Sequence, residues 1–220
     1  MGKADAAKIV DLKRVLSERF PNTVSRAPVK RVVATGLECL DGPLGGGLPL
    51  GEVIEIVAGA PCSGTGLLLL TLLQRVLAEQ PCVALVDGSD SFDPADLSPK
   101  FLQRLLWVRC PSAKDSLRPV DALLRDGNIT LVIFDLRGNC PTELRDIPQH
   151  AWFRFQRVAQ AAGTVLLVLA VRPSACGVRW RLRMESHLGI DALERKQIET
   201  LRSLRLELVR GRGGLLQTAG

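Results

Sequence analysis

The sequence predicts an α/β fold: a doubly wound, mostly parallel sheet with helices on both faces. Three observations predict it. Strand-length apolar runs alternate with helix-length runs from residue 53 to residue 170. The central runs, Val83-Ala-Leu-Val86, Leu131-Val-Ile-Phe134 and Val165-Leu-Leu-Val-Leu-Ala170, are continuously apolar, as strands are when helices cover both of their faces. A glycine-rich loop, Gly59-Ala-Pro-Cys-Ser-Gly64-Thr65-Gly66, joins one such strand to a leucine-rich helix, the place where a phosphate-binding loop sits in nucleotide triphosphatases.

Taken in order, residues 4–19 put Ile9, Leu12, Leu16 and Phe20 at spacings of three to four, an amphipathic helix stopped by Pro21. A linker rich in Pro, Asn and Ser leads to an edge strand at Val29 to Ala34. Thr35 to Asp41 reads as a short helical turn, and Gly45 to Gly51 as a tight loop. Strands are then expected at 53–58, 82–86, 105–109, 131–135 and 165–170, and helices at 66–79, 95–104, 116–126 and 150–162. In the tail, Val178, Trp180, Leu182 and Met184 alternate with Arg179, Arg181 and Arg183, and Leu204, Leu206 and Leu208 alternate with Arg205 and Glu207. Period-two patterning gives one buried and one wet face, so antiparallel strands are expected to extend the sheet edge, separated by a charged helix at 190–203. The organisation is therefore an N-terminal helix with linker and edge strand (1–34), a core (35–177) and a basic strand-helix-strand extension (178–220).

With 220 residues, 46% of them hydrophobic, the chain suffices for one well-buried core. Its apolar stretches fall short of the ~20 residues a membrane span requires, and its N-terminus does not read as a secretory signal, so a cytoplasmic protein is expected. The six cysteines (39, 62, 82, 110, 140, 176) form no C-x-x-C pair and read as reduced, small core residues. The net charge of +6 is concentrated at the C-terminal end, where Arg172 to Gly220 hold ten Arg/Lys against five Asp/Glu. Such a surface suits nucleic acid or an acidic protein; a solubilising face without a partner has the same composition.

A working phosphate loop, G-x-x-x-x-G-K-[ST], uses backbone N–H groups, a lysine on the β/γ-phosphates and a hydroxyl on Mg²⁺. Here Thr65 and Gly66 stand at the last two positions, and no lysine occurs between Lys30 and Lys100. Gly59, Gly64, Thr65 and Gly66 are thus the remnant of a nucleotide loop. They keep backbone donors suited to a weakly held anion. Asp135, at the end of an apolar strand, occupies the position of a magnesium-holding aspartate, although strand-end aspartates also cap turns.

The run Thr35-Gly36-Leu37-Glu-Cys-Leu40-Asp41, then Gly46-Gly47-Leu48-Pro49-Leu50-Gly51-Glu52-Val-Ile-Glu55-Ile56, then the degenerate loop, resembles the start of a RecA-type ATPase core. Leu85-Val-Asp87 with Phe92-Asp93-Pro94, and Leu131-Val-Ile-Phe-Asp135, resemble later segments of that core. Within the RecA superfamily, Arg104-Leu-Leu-Trp107-Val-Arg109, Arg181-Leu-Arg183-Met-Glu185 and Leu206-Glu-Leu-Val-Arg210-Gly-Arg-Gly-Gly214 are similar to the ImuA family of bacterial damage-inducible cassettes for translesion DNA synthesis.

That resemblance implies a RecA-like fold and sharpens the losses. The water-activating glutamate of the superfamily falls at Ser89, and a serine cannot act as a carboxylate base near neutral pH. Losing the lysine, the magnesium hydroxyl and this carboxylate makes ATPase activity unexpected. No cofactor or metal site is expected. The resemblance implies a non-catalytic protein of SOS mutagenesis whose partners are RecA, an ImuB-like protein related to Y-family polymerases, and an error-prone replicative-type polymerase. Ile9, Leu12, Leu16 and Phe20 match in placement the element that docks one RecA subunit on its neighbour; packing on their own core is the alternative. The loops after residues 135 and 170, which carry DNA in RecA relatives, are short. Arg179, Arg181 and Arg183 are instead expected to project a row spaced about 6.6 Å apart, toward DNA or an acidic partner. A SulA-like inhibitor of FtsZ polymerisation and a divergent DNA-binding ATPase are the competing readings.

Overall fold

The computed structural model describes residues 31–60, 62–194 and 196–211. The expected helix over 4–19, and with it the docking residues Ile9, Leu12, Leu16 and Phe20, lies outside them.

The alternation of elements builds a seven-stranded sheet of order β5-β4-β6-β7-β3-β8-β9. Its strands are β3 (Val53–Val57), β4 (Val83–Asp87), β5 (Leu105–Arg109), β6 (Leu131–Asp135), β7 (Val165–Ala170), β8 (Trp180–Met184) and β9 (Leu206–Arg210). All neighbours are parallel except β8 and β9, which form the expected antiparallel pair. The pair joins the core by a parallel contact, Ile54 opposite Trp180 and Glu55 opposite Arg181.

Successive side chains of each strand go to opposite faces and so feed two cores. On one face Ile54, Ile56, Leu85, Ile133, Leu167 and Leu182 pack with α2 (Thr65–Glu79), whose Leu68, Leu69, Leu72, Leu73, Val76 and Leu77 make a buried stripe. Each fully buried leucine contributes about 1.5–3 kcal/mol. On the other face Val53, Val86, Val132, Phe134 and Val168 meet α4 (Ala113–Asp126) and α6 (Gln149–Ala162), where Trp152 and Phe155 stack edge to face.

Before the sheet, β1 (Val32–Val33) and β2 (Leu48–Pro49) form their own small antiparallel ladder, so the described part of the expected edge strand does not join the main sheet. Between them α1 (Glu38–Leu44) begins three residues later than expected, because Thr35-Gly36 is a turn held by Asp41. The Asp41 carboxylate accepts from the Thr35 hydroxyl at 2.6 Å and the Gly36 N–H at 2.9 Å. Gly47, at φ +146°, lets this loop approach: a Cβ there would lie 2.5 Å from the Val33 carbonyl oxygen.

Other differences have local causes. The helix expected over 95–104 shrinks to α3 (Pro99–Leu102), since Pro94 and Pro99 bar helical hydrogen bonding upstream and the Asp93 carboxylate turns back onto the Ala95 N–H at 2.9 Å. A short α5 (Pro141–Arg145) appears where a loop was expected. The α4 helix starts early because Ser112 accepts from the Asp115 N–H at 3.2 Å. The helix expected over 190–203 divides into a 3-10 turn (Ile190–Leu193) and α7 (Gln197–Ser203). All six cysteines are free thiols, but only Cys110 is buried, and Cys62 and Cys140 are exposed.

Candidate functional site

The carboxyl ends of β3, β4 and β6 place the glycine loop, Asp87 and Asp135 together, the end of an open parallel sheet where ligands bind. Gly59 (φ 73°), Cys62 (φ 56°) and Gly64 (φ 85°), all at positive φ, turn the chain from β3 into α2, and Gly64 caps the helix without any side-chain hydrogen bond. The loop is therefore shaped as a phosphate cradle is, with the N-terminus of a fifteen-residue helix opening onto it.

The chain's own groups approach that cradle. Gly64 is covered by the tail: a Cβ at that position would meet Leu204 Cδ2 at 2.6 Å and Leu188 Cδ1 at 3.1 Å. The Leu188 N–H donates to the Cys62 carbonyl at 2.8 Å, tying the tail to the loop. Above Gly66 stands the Arg137 guanidinium, whose Nη1 would lie 3.4 Å from a Cβ there.

Arg137 is held by the expected magnesium aspartate. Its Nε and Nη2 donate to the two Asp135 carboxylate oxygens at 2.8 and 2.6 Å, and its N–H adds a third bond at 3.1 Å. Asp135 is wholly inaccessible and the Arg137 side chain only 20% exposed. Burial alone lowers the guanidinium pKa, but the hydrogen bonds and charge of Asp135, with Asp87 behind, outweigh it and hold it above its ordinary value. A built-in cation thus sits on the carboxylate that a magnesium ion would use in an active relative.

The remaining carboxylates near the site are also committed. Asp87, paired in register with Asp135, accepts backbone N–H bonds from Ser89, Ser91 and Phe92 at 3.3, 3.1 and 2.8 Å. Asp90 receives Nε and Nη2 of Arg109 at 2.5 and 2.7 Å, and these hydrogen bonds hold its carboxyl below the usual carboxylate range. The Ser89 hydroxyl hydrogen-bonds the Ser91 hydroxyl at 3.0 Å. Among the described residues no three His, Cys, Asp or Glu side chains gather as a metal-ligand group.

The expected outward row of Arg179, Arg181 and Arg183 requires correction. Arg181 is turned onto Glu55, a fully buried carboxylate in the middle of β3, at 2.5 Å, and also donates to the Ala175 carbonyl at 2.8 Å. Glu55 accepts further bonds from the Ser174 N–H and hydroxyl and the Ala175 N–H. Arg179 lies 3.3 Å from Glu52, and Arg183, half-exposed, 3.9 Å from Glu185. Only Arg179 and Arg183 keep substantial exposure, because the Glu55 network draws Arg181 inward and pins the loop after β7. Neither Arg137 nor Glu55 was singled out from sequence. The signal for Glu55 was there: one acid inside the apolar run Val53 to Ala58 needs a buried partner.

No protein-family model matches the chain. It is 35% identical over 105 residues to the RecA protein of a Nostoc species, 47% of this chain and 29% of that protein. It is 29% identical over 136 residues to the RecA protein of Gloeothece citriformis, 61% of this chain and 34% of that protein. The chain thus spans about a third of the length of the curated relatives it matches. Among solved structures, the RadB recombinase superposes with a TM-score of 0.54 at 19% identity, covering 69% of this chain and 82% of that one. The chain therefore has a RecA-like fold and is distantly homologous in sequence to RecA proteins over about half of its length.

Proposed function

We propose that the chain is a non-catalytic RecA-like protein of damage-induced mutagenesis, of the ImuA kind, acting through protein contacts. Its partners in this reading are RecA, whose filament activity it limits, an ImuB-like protein and an error-prone replicative-type polymerase. The observation that carries the reading is the Arg137 guanidinium locked in two-point contact on Asp135 over the first turn of α2. Together with the missing lysine, it removes the charge balance that a magnesium triphosphate requires. A RecA-superfamily fold without that chemistry retains its surfaces. DNA contact, in this reading, falls to the exposed Arg179 and Arg183 and is electrostatic and sequence-indifferent.

The test is capture of purified RecA by the full chain, with FtsZ in a parallel arm and an Ile9→Asp/Leu12→Asp variant as control. Capture of RecA that the variant loses supports docking through the N-terminal helix. Capture of FtsZ alone overturns the reading in favour of a division inhibitor, and capture of neither removes its partners.

A further inference from the structure

Between the glycine loop and the tail lies a cavity of about 960 Å³, within the size range of small-molecule sites. Its walls are apolar where they are formed by Ala58, Leu67, Val171, Leu188 and Ala192. Its inner end is polar in a particular way: it is the N-terminus of α2, with backbone N–H groups that have no partner within the helix. Two hydroxyls line the same end. Ser63 and Thr65 are 2% and 8% exposed, and neither makes a hydrogen bond among the described residues. Both residues line the cavity, so their hydroxyls can donate to a group held there. Among the described residues that line the cavity there is no lysine or arginine, and the guanidinium beside Gly66 is already paired with Asp135.

We propose that this cavity is a binding site for an apolar monocarboxylate, its head on the Ser63 and Thr65 hydroxyls and the first N–H groups of α2, its body between Leu67, Val171, Leu188 and Ala192. The charge argument selects the ligand class. A helix N-terminus with two hydroxyl donors stabilises one negative charge, whereas a triphosphate carries several and needs lysine and magnesium to bind. The apolar walls exclude small hydrophilic anions by giving nothing back for their desolvation. The inference rests on the reading of the loop as closed to magnesium triphosphate.

Dodecanoate, below its micelle-forming concentration, is the probe, titrated calorimetrically into the full chain. Saturable one-site binding is expected, weakened about ten-fold by Thr65→Val through loss of a charge-assisted hydrogen bond. A weakening of about ten-fold or more is expected from Ala192→Trp, which fills the apolar half. Circular dichroism establishes that each variant is folded; should Ala192→Trp not fold, Thr65→Val and a dodecanol titration decide. Dodecanol, without the carboxylate, is expected to bind at least about ten-fold more weakly. Absence of saturable dodecanoate binding, equal binding by dodecanol, or unchanged affinity in the folded variants overturns the proposal. A separate arm with ATP and Mg²⁺ distinguishes the two failures: no binding of either ligand overturns the carboxylate site alone, whereas displacement of dodecanoate by magnesium ATP overturns the closed-loop reading beneath it.

Discussion

Glu55→Ala is expected to destabilise the fold by about 3–5 kcal/mol, the cost of leaving a buried charge without its partner. The carboxylate is fully buried in a central strand and receives four hydrogen bonds, from Arg181, the Ser174 N–H and hydroxyl, and the Ala175 N–H. Alanine strands the Arg181 guanidinium, only about a fifth exposed, and leaves two backbone donors of the loop after β7 without an acceptor. Urea unfolding monitored by circular dichroism measures the loss. A Glu55→Leu/Arg181→Met double variant is expected to recover most of it, since exchanging a buried pair for apolar side chains of similar volume is commonly neutral or stabilising. A loss below about 1 kcal/mol for Glu55→Ala, the range of an exposed ion pair, would show that the network does not hold the loop.

Arg137→Ala is expected to cost a similar amount, about 3–5 kcal/mol, for the mirror-image reason. Asp135 has no access to solvent and sits in register beside Asp87, so two carboxylates on neighbouring strands share the guanidinium's field. Without it, Asp135 keeps, among the described residues, only the backbone N–H of residue 137. Adding Asp135→Asn removes the unpaired charge, and the double variant is expected to be more stable than Arg137→Ala alone. If the two substitutions add independently, with no coupling in the cycle, Arg137 is not the counter-ion of Asp135.

The sequence carried the frame of this fold plainly. Continuous apolar runs located β4, β6 and β7, and the glycine loop before a leucine stripe located β3 and α2, because these features follow from local chemistry. The tail was legible in part. Period-two alternation placed Trp180, Leu182 and Met184 on the buried face, but the fate of Arg181 depended on the parallel register that sets it opposite Glu55, more than a hundred residues earlier. No local pattern encodes that register. Likewise, the distance of two residues between Asp135 and Arg137 suits both a separated pair and a two-point clamp; the turn after β6 decides. Over 95–104 the expected helix shortens because Pro94 and Pro99 shape the backbone before side-chain patterning can act. The missing lysine was readable from the chain alone, whereas the leucines over Gly64 come from residues 188 and 204 and only the folded chain brings them there.

The central claim is that the nucleotide loop has lost the charged groups that hold a magnesium triphosphate, its aspartate being clamped by the chain's own Arg137. Isothermal titration of the full chain with ATP and Mg²⁺, followed by an assay for released phosphate, tests it most directly. No saturable magnesium-dependent heat and no phosphate release are predicted. Tight magnesium-dependent uptake of ATP with turnover would contradict the claim.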